Sequence, residues 1–210
     1  MGQDFWVFGE VFNEMENGFF LEVGSADGIR FSNTFLLEKR YHWRGICVEP
    51  NPLLFHDLRH LRNVSCLNVC IDSVEGEVEF AQRDVLGGIV ADDTDNTRIQ
   101  PQMADGPIIT LQARPLLSVL LDENAPQTID YCSIDVEGAE DRILCDFSFD
   151  KYTFKCMTIE RPKPRLRSIL VKNGYIPVKE IPNHDVFYIH ESFYHEYERN
   201  IFEFWEKQQR

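Results

Sequence analysis

Residues 19–34 read Phe-Phe-Leu-Glu-Val-Gly-Ser-Ala-Asp-Gly-Ile-Arg-Phe-Ser-Asn-Thr, and the fold follows from this stretch. Its mostly apolar beginning predicts a strand that ends at Gly24, and a second glycine follows at Gly28. After a predicted helix, another apolar run, Ile46–Val48, ends at the carboxylate of Glu49. A strand, a glycine turn, a helix and a second strand with an acidic tip are typical of a parallel α/β sheet.

The same residues indicate what the turn binds. Gly24 and Gly28 allow the backbone to turn sharply and to approach a ligand that a Cβ would push away. Glu49 follows about 20 residues later, which is the spacing at which a carboxylate reaches a ribose diol. The pattern is G-x-x-x-G rather than the G-x-G-x-x-G of dinucleotide sites, and Asp27 within the turn suits a cationic ligand. These features favour S-adenosylmethionine (SAM) over NAD; a turn without any ligand is the remaining alternative.

Four predicted strands are followed by an acidic residue, namely Glu49, Asp72, Asp135 and Glu160. Ligands of an open parallel sheet bind beyond the carboxyl ends of the strands, so these acids should form one rim. We assign Glu49 to the ribose and Asp72 to the adenine amino group. Asp135 is predicted as the general base or orienting group and Glu160 as a second catalytic residue, unless each only caps a helix or pairs with arginine. A Mg²⁺ ion on Asp135 with Glu137 or Glu160 is conceivable, but no spacing in the sequence supports a metal.

The remaining sequence predicts one domain spanning all 210 residues. Residues 1–18 are predicted as an N-terminal helix, and Val64–Ile71 as the third strand of the sheet. Residues 82–110 form a predicted insertion, whose polar part, 92–106, is either a substrate lid or disordered. An aromatic-rich C-terminal helix over 192–210 offers a possible homodimer face.

Composition restricts the classes of partner. The chain has 21 Lys and Arg against 35 Asp and Glu, a formal net charge of -14. This balance argues against a duplex nucleic-acid substrate, which requires a basic surface. No apolar run approaches the length of a membrane span. The six cysteines include no C-x-x-C pair and mostly lie in apolar runs, which indicates free thiols and a cytoplasmic protein.

Several blocks of the sequence, in order, resemble the FkbM family of SAM-dependent methyltransferases. The chain departs from the usual family pattern at Glu22, where Asp is common, and at Ser25-Ala26, where Ala-Asn is more familiar. The blocks are Leu-Glu-Val-Gly-Ser-Ala-Asp-Gly (21–28), Ser-Asn-Thr (32–34), Trp-Arg-Gly-Ile-Cys-Val-Glu-Pro-Asn (43–51), Ile-Asp-Tyr-Cys-Ser-Ile-Asp-Val-Glu-Gly-Ala-Glu (129–140), Thr-Ile-Glu (158–160), Gly-Tyr (174–175) and Asn-His-Asp-Val-Phe (183–187).

The resemblance implies an α/β class I (Rossmann-like) methyltransferase fold. This fold has a seven-stranded, mostly parallel sheet with an antiparallel last strand and helices on both faces. It also implies SAM-dependent O-methylation of a hydroxyl on a small-molecule or glycan acceptor. N- or protein methylation, and a non-catalytic module that binds SAM or a nucleotide, stay open as alternatives. The predicted cofactor-binding residues are Glu22, Gly24, Ser25, Asp27, Gly28, Ser32, Asn33, Glu49, Pro50, Asp72, Ser73 and Asp135.

Overall fold

The computed structural model describes residues 2–97 and 106–209. The strands in these ranges are β1 (Phe19–Val23), β2 (Arg44–Val48), β3 (Ser65–Leu67), β4 (Cys70–Ile71), β5 (Gly76–Ala81), β6 (Gly88–Ile89), β7 (Ile108–Arg114), β8 (Thr128–Ile134), β9 (Thr153–Glu160), β10 (Tyr175–Glu180) and β11 (Asp185–His190). The α-helices are α1 (Gln3–Phe5), α2 (Phe35–Tyr41), α3 (Pro52–Leu61), α4 (Leu116–Asp122), α5 (Glu140–Leu144), α6 (Pro164–Lys172) and α7 (Tyr194–Gln208).

The central sheet places its strands in the order β10-β11-β9-β8-β1-β2-β3. β1 is parallel to β2 and β8, whereas β11 is antiparallel to both β9 and β10. The predicted mostly parallel sheet with an antiparallel last strand is therefore confirmed. The strand order reverses between β1 and β8, and ligands of open parallel sheets bind at such a switch point.

Helices cover both faces of this sheet, as predicted. Successive residues of a strand point to opposite faces, so Leu21 and Phe20 enter different cores. Leu21 packs in a core with residues of α4, α5 and α6. Phe20 packs in a second core with residues of α2, α3 and the N-terminal helical segment. Every residue of β1 after Phe19 is buried, as expected for a strand covered on both faces.

The predicted third strand is wrong in one respect, because Val64–Ile71 is divided between β3 and β4. Asn68, between the two strands, donates side-chain hydrogen bonds to the carbonyls of Glu49 (2.8 Å) and Pro50 (2.9 Å). The interruption lets β4 leave the central sheet for a second sheet of order β4-β7-β5-β6. This second sheet is built from the predicted insertion and the strands that flank it.

The chain termini also differ in detail from the prediction. The N-terminal helix covers α1 and a π-helical segment, Trp6–Val11, in which Trp6 packs edge-on against Phe187 at 4.9 Å between ring centroids. The C-terminal helix begins with a 3₁₀ turn, Glu191–Phe193, and continues as α7. Residues 98–105 of the predicted lid lie outside the described residues. Within the described ranges, the helices are too short or too polar to cross a membrane.

Candidate cofactor and active site

A cavity of about 450 Å³ opens at the carboxyl ends of β1, β2 and β8, at the switch point of the central sheet. Its size is within the range of small-molecule sites. The turn after β1, the start of α3 and the segment 84–89 of the insertion form its walls. Of the predicted site residues, those that line it are Gly24, Ser32, Asn33, Glu49, Pro50, Asp135 and Glu160.

Gly24 brings the ends of β1 and β8 together. Its φ is +86°, and a Cβ at this position would lie 1.8 Å from the carbonyl oxygen of Asp135. The Gly24 amide donates to the carbonyl of Val48 (3.0 Å), and the Asp135 amide donates to that of Val23 (3.1 Å). Only glycine combines the left-handed backbone with this close approach. The predicted close-packed turn is thus present at the mouth of the cavity.

Glu49 joins this turn to the end of β2. Its carboxylate accepts hydrogen bonds from the amides of Ala26 (2.9 Å) and Asn51 (2.8 Å), one on each oxygen. Each carboxylate oxygen can accept a second donor, which leaves room for a ribose diol. Burial raises the pKa of Glu49 to about 7, although both amide hydrogen bonds favour the charged form. Glu49 therefore faces the cavity as a carboxyl group that is half ionised near neutral pH.

Four predicted cofactor residues do not line the cavity, and instead stabilise the turn through hydrogen bonds and packing. Glu22 is 1% exposed and accepts hydrogen bonds from the segment 32–34. The Ser25 hydroxyl donates to the carbonyl of Glu22 at 3.0 Å. Asp27 accepts from the amides of residues 29 and 30. A Cβ on Gly28 would lie 2.7 Å from Leu58, so this glycine lets the turn rest on α3.

Asp72 and Ser73 do not reach the cavity lining either. The guanidinium of Arg142 donates to both oxygens of Asp72, at 2.9 and 2.7 Å, and the Asp72 carboxylate is 1% exposed as a side chain. Ser73 donates its amide to Asp72 as well. Such a bidentate pair occupies the carboxylate. In this structure Asp72 is therefore paired with Arg142 rather than directed at the site predicted for adenine. The cavity wall next to it consists of Cys70 and Ile71.

Three carboxyl groups meet at the other end of the cavity. Asp135, Glu137 and Glu160 each place an oxygen within 4.8 Å of the others. Asp135 is exposed to the open cavity, and the surrounding protein and the charges of Glu160 and Glu137 raise its pKa above the ordinary value. Burial and Glu160 likewise raise the pKa of Glu137 to about 7. The cluster can therefore exchange a proton near neutral pH, and its ionised form can accept one, as a general base must.

Arg161 limits the negative charge of this cluster from outside. Its guanidinium lies 2.9 Å from Glu160, 3.3 Å from Glu137 and 2.6 Å from Asp95. One cation thus faces three carboxylates on its own side, while Asp135 stays on the cavity side. Oxygen ligands so close together are also those that Mg²⁺ prefers, so the cluster is chemically suited either to share a proton or to hold a cation.

Sequence reasoning did not identify Arg142, Arg161 or Asp185 as parts of this site. Asp185 lines the cavity because the antiparallel register of β11 sets it opposite Glu160. Asp185 lies in the block 183–187 that resembles the family, but its position after a turn gave no role for it. Each arginine directly follows an acidic residue, Asp141 or Glu160, and that neighbour is the signal that could have suggested an ion pair.

The lining fits SAM and disfavours a phosphate-bearing cofactor. Anionic phosphates require cationic or amide-rich walls, whereas SAM carries an ammonium, a sulfonium and a ribose diol. Among the described lining residues none is Lys or Arg, and the acidic ones are Asp4, Glu49, Asp84, Asp135, Glu137, Glu160 and Asp185. The apolar part of the lining includes Val23, Val48, Val69, Ile71, Phe80 and Ile89, and an apolar wall of this kind suits an adenine ring.

A mostly parallel sheet with a cavity at its switch point is the arrangement in which open α/β folds bind their ligands. The family model described as the methyltransferase FkbM domain matches residues 22–177, well over half of the chain. The chain therefore belongs to the FkbM methyltransferase family, as its sequence blocks predict.

Solved structures of methyltransferases resemble the chain at low sequence identity. The FkbM methyltransferase from Methylobacillus flagellatus KT is 11% identical over 82% of this chain and 43% of its own, with a TM-score of 0.49. The METTL16 methyltransferase domain is 12% identical over 89% of this chain and 64% of its own, with a TM-score of 0.48. M. capricolum TrmK, solved with S-adenosylhomocysteine (SAH), is 9% identical over 85% of this chain and 65% of its own, with a TM-score of 0.43. This chain thus spans less than two thirds of each of these proteins. A search of curated proteins gives no sequence match.

Proposed function

We propose that the protein transfers the methyl group of SAM to a hydroxyl oxygen of a small-molecule or carbohydrate-like acceptor. The observation that carries this proposal is Asp135, which faces the cavity with a raised pKa beside Glu137 and Glu160. A hydroxyl is a weak nucleophile and must lose its proton as it reacts. A carboxylate with an ordinary pKa near 3.9 is a poor base for this purpose, and the raised pKa of Asp135 corrects that weakness.

Residues at one end of the cavity would bind the cofactor, and residues at the other end would act on the acceptor. Glu49 and the turn around Gly24 would hold the ribose, and Ser32 and Asn33 lie beside them. When bound, SAM supplies an electrophilic methyl group on a sulfonium. Asp135 would orient the acceptor hydroxyl and take its proton while the bond between oxygen and the methyl carbon forms and the bond from that carbon to sulfur breaks, which leaves SAH. Glu160 would keep that proton within the cluster until it passes to solvent.

An amine acceptor is the second candidate, favoured by one observation. The described lining carries seven acidic residues and neither Lys nor Arg, and so it complements a cation. The same charge makes duplex nucleic acid a poor acceptor. We therefore propose an acceptor no larger than a glycan. The proposed reaction does not require a metal ion.

Replacement of Glu49 by alanine is expected to weaken SAH binding at least tenfold. The ribose hydroxyls would lose a charged acceptor, and such a hydrogen bond contributes roughly 1.5–3 kcal/mol. Isothermal titration calorimetry with SAH, SAM and NAD measures this loss, and NAD should give no signal. Asp57→Ala is the matched control, because Asp57 is an exposed acid on α3 outside the cavity and each variant removes one carboxyl group. Equal affinities for the two variants would remove Glu49 from the ribose site.

Replacement of Asp135 by asparagine is expected to lower kcat by about 10²–10⁴, the usual contribution of a general base. The acceptor is first found by incubating the protein with methyl-labelled SAM and panels of hydroxyl and amino compounds, and NMR of the product then shows whether the methyl carbon is bonded to oxygen or nitrogen. SAH affinity should change much less than kcat, since the variant is nearly isosteric.

Four results would contradict parts of this proposal. A methyl group on nitrogen would replace the hydroxyl acceptor by an amine. An Asp135→Asn variant with native kcat would exclude Asp135 as the base. Activity that is lost in EDTA and restored by Mg²⁺ would show that the acidic cluster binds a cation during catalysis. Binding of SAM without turnover on any panel would favour a non-catalytic module.

A further inference from the structure

We propose that Arg62 is a positioning residue that fixes the shape of the cofactor turn and thereby sets the affinity for the cofactor. Arg62 does not line the cavity, and its side chain has no solvent exposure. It follows the last residue of α3, where its amide donates to the carbonyl of Leu58 at 3.0 Å. From this position its guanidinium contacts the segment 28–34. Phe31, Ser32 and Asn33 of this segment line the cavity.

The guanidinium binds both ends of that segment. One terminal nitrogen donates to the carbonyl of Gly28 and to the hydroxyl of Ser32, each at 3.1 Å. The other donates to the hydroxyl of Thr34 at 2.8 Å. The third nitrogen of the guanidinium, Nε, donates to Glu38 of α2. One side chain thus ties the start, the middle and the end of the segment to α2 and α3.

Glu22 holds the same segment through further hydrogen bonds. Its oxygens accept from the hydroxyls of Ser32 (3.0 Å) and Thr34 (2.8 Å) and from the amide of Asn33 (2.5 Å). The Arg62 guanidinium is 3.5 Å from Glu22, so the two groups also balance each other's charge. The segment is therefore clamped between a buried anion from β1 and a buried cation from α3.

The clamp is needed because the segment is strained. Phe31 has a φ of +66° and is 72% exposed at the cavity wall. A bulky side chain in the left-handed region is unfavourable and persists only when the surrounding contacts determine it. The hydrogen bonds of Arg62 at Gly28 and Ser32 lie on either side of Phe31. They are placed to hold this conformation before any ligand binds.

Lysine could not replace these contacts. An ammonium is a compact point charge, whereas the planar guanidinium presents five N–H donors in a fixed fork. Arg62 also lies against the rings of Phe20 and Phe35, at 5.5 and 5.9 Å from their centroids. Its loss would remove the guanidinium that contacts both Glu22 and Glu38, although residues 32–34 would still donate hydrogen bonds to Glu22 and Lys39 would still pair with Glu38. The inference concerns cofactor binding and stands independently of the acceptor.

The test compares Arg62→Met and Arg62→Lys with the native chain. SAH affinity is measured by calorimetry, and hydrogen–deuterium exchange is followed in the peptide that covers residues 25–34. We expect Arg62→Met to weaken SAH binding at least tenfold and to accelerate exchange in this peptide. Arg62→Lys should recover only part of the affinity, because it restores the charge without the fork.

Leu170→Ala is the control for destabilisation as such. Leu170 is fully buried in α6 and does not line the cavity, and truncation of a core leucine destabilises a fold strongly. Its SAH affinity should stay within twofold of native at a temperature where every variant is folded by circular dichroism. Native affinity in folded Arg62→Met, or an equal loss in Leu170→Ala, would overturn the proposal.

Thr34→Val decides the question if Arg62→Met does not fold. This change keeps the shape of a fully buried side chain and removes only its hydrogen bonds to Arg62 and Glu22. We expect about threefold weaker SAH binding and faster exchange over residues 28–34. Unchanged affinity and exchange in folded Thr34→Val would overturn the proposal in that case.

Discussion

Replacement of Gly24 by alanine is expected to abolish detectable SAH binding and to lower the free energy of unfolding by about 3 kcal/mol or more. The left-handed backbone alone costs an alanine roughly 1–2 kcal/mol. The larger part comes from the Cβ, which would lie 1.8 Å from the carbonyl oxygen of Asp135, a backbone atom that cannot rotate away. The ends of β1 and β8 would have to separate, and they carry both the cofactor turn and the proposed base.

Urea denaturation and SAH calorimetry measure both effects. Gly76→Ala is the matched control, because Gly76 also has a positive φ, +153°, but no atom lies within 4 Å of its added Cβ. That variant should show the conformational cost alone and should bind SAH normally. If Gly24→Ala resembles Gly76→Ala in both measurements, the close approach of β1 to β8 does not determine the site.

The fold could be predicted from local signals that act within a few residues. The bounds of α3 and α6 agree with the sequence because a proline opens each helix, and Gly174, with a φ of +84°, ends the second one. The run Val64–Ile71 was misread because its break depends on Asn68, whose partners are carbonyls at the end of another strand. No local pattern records that contact.

The predicted site residues show the same difference between local signals and distant contacts. Gly24 and Glu49 were identifiable because their roles follow from backbone geometry and from their spacing along the chain. The roles of Glu22 and Asp72 depend on arginines 40 and 70 residues away, with which they pair. An acid at a strand end looks the same in the sequence whether a ligand or an arginine occupies it. Only the tertiary structure separates the two.

Rising pH is expected to destabilise the ligand-free protein between about pH 5 and 7.5. Burial raises the pKa of Glu140 to about 7, despite hydrogen bonds from the amides of Val136 and Gly138, and Glu49 behaves alike. The folded chain keeps protons that the unfolded chain releases above pH 4.5, so unfolding releases protons and higher pH favours it. Each raised pKa contributes stability that is complete below pH 4.5 and lost as the pH passes 7. For Glu140 alone the loss is about 3 kcal/mol.

Urea denaturation at a series of pH values and constant ionic strength measures this slope. Glu140→Gln should flatten the profile, since a neutral amide has no proton to lose. Below pH 4.5 the trend should reverse. Burial alone would raise the pKa of Glu38, but hydrogen bonds from Arg62 and Lys39 lower it, so its protonation costs stability. A profile that instead rises steadily to pH 8 would show that the cavity acids titrate normally.

The same measurement with saturating SAH separates the acids by function. If ribose hydroxyls bind the ionised form of Glu49, SAH should bind more tightly as the pH rises towards 7 and should offset the share of the loss that Glu49 causes. The share that Glu140 causes should persist, because Glu140 caps the turn after β8 and is 1% exposed. This result would explain why the cofactor site retains a buried carboxyl group that lowers the stability of the ligand-free protein at neutral pH. Glu49 is stabilised when the cofactor binds, whereas the cluster around Asp135 shares a proton near neutral pH and acts as a base in its ionised form.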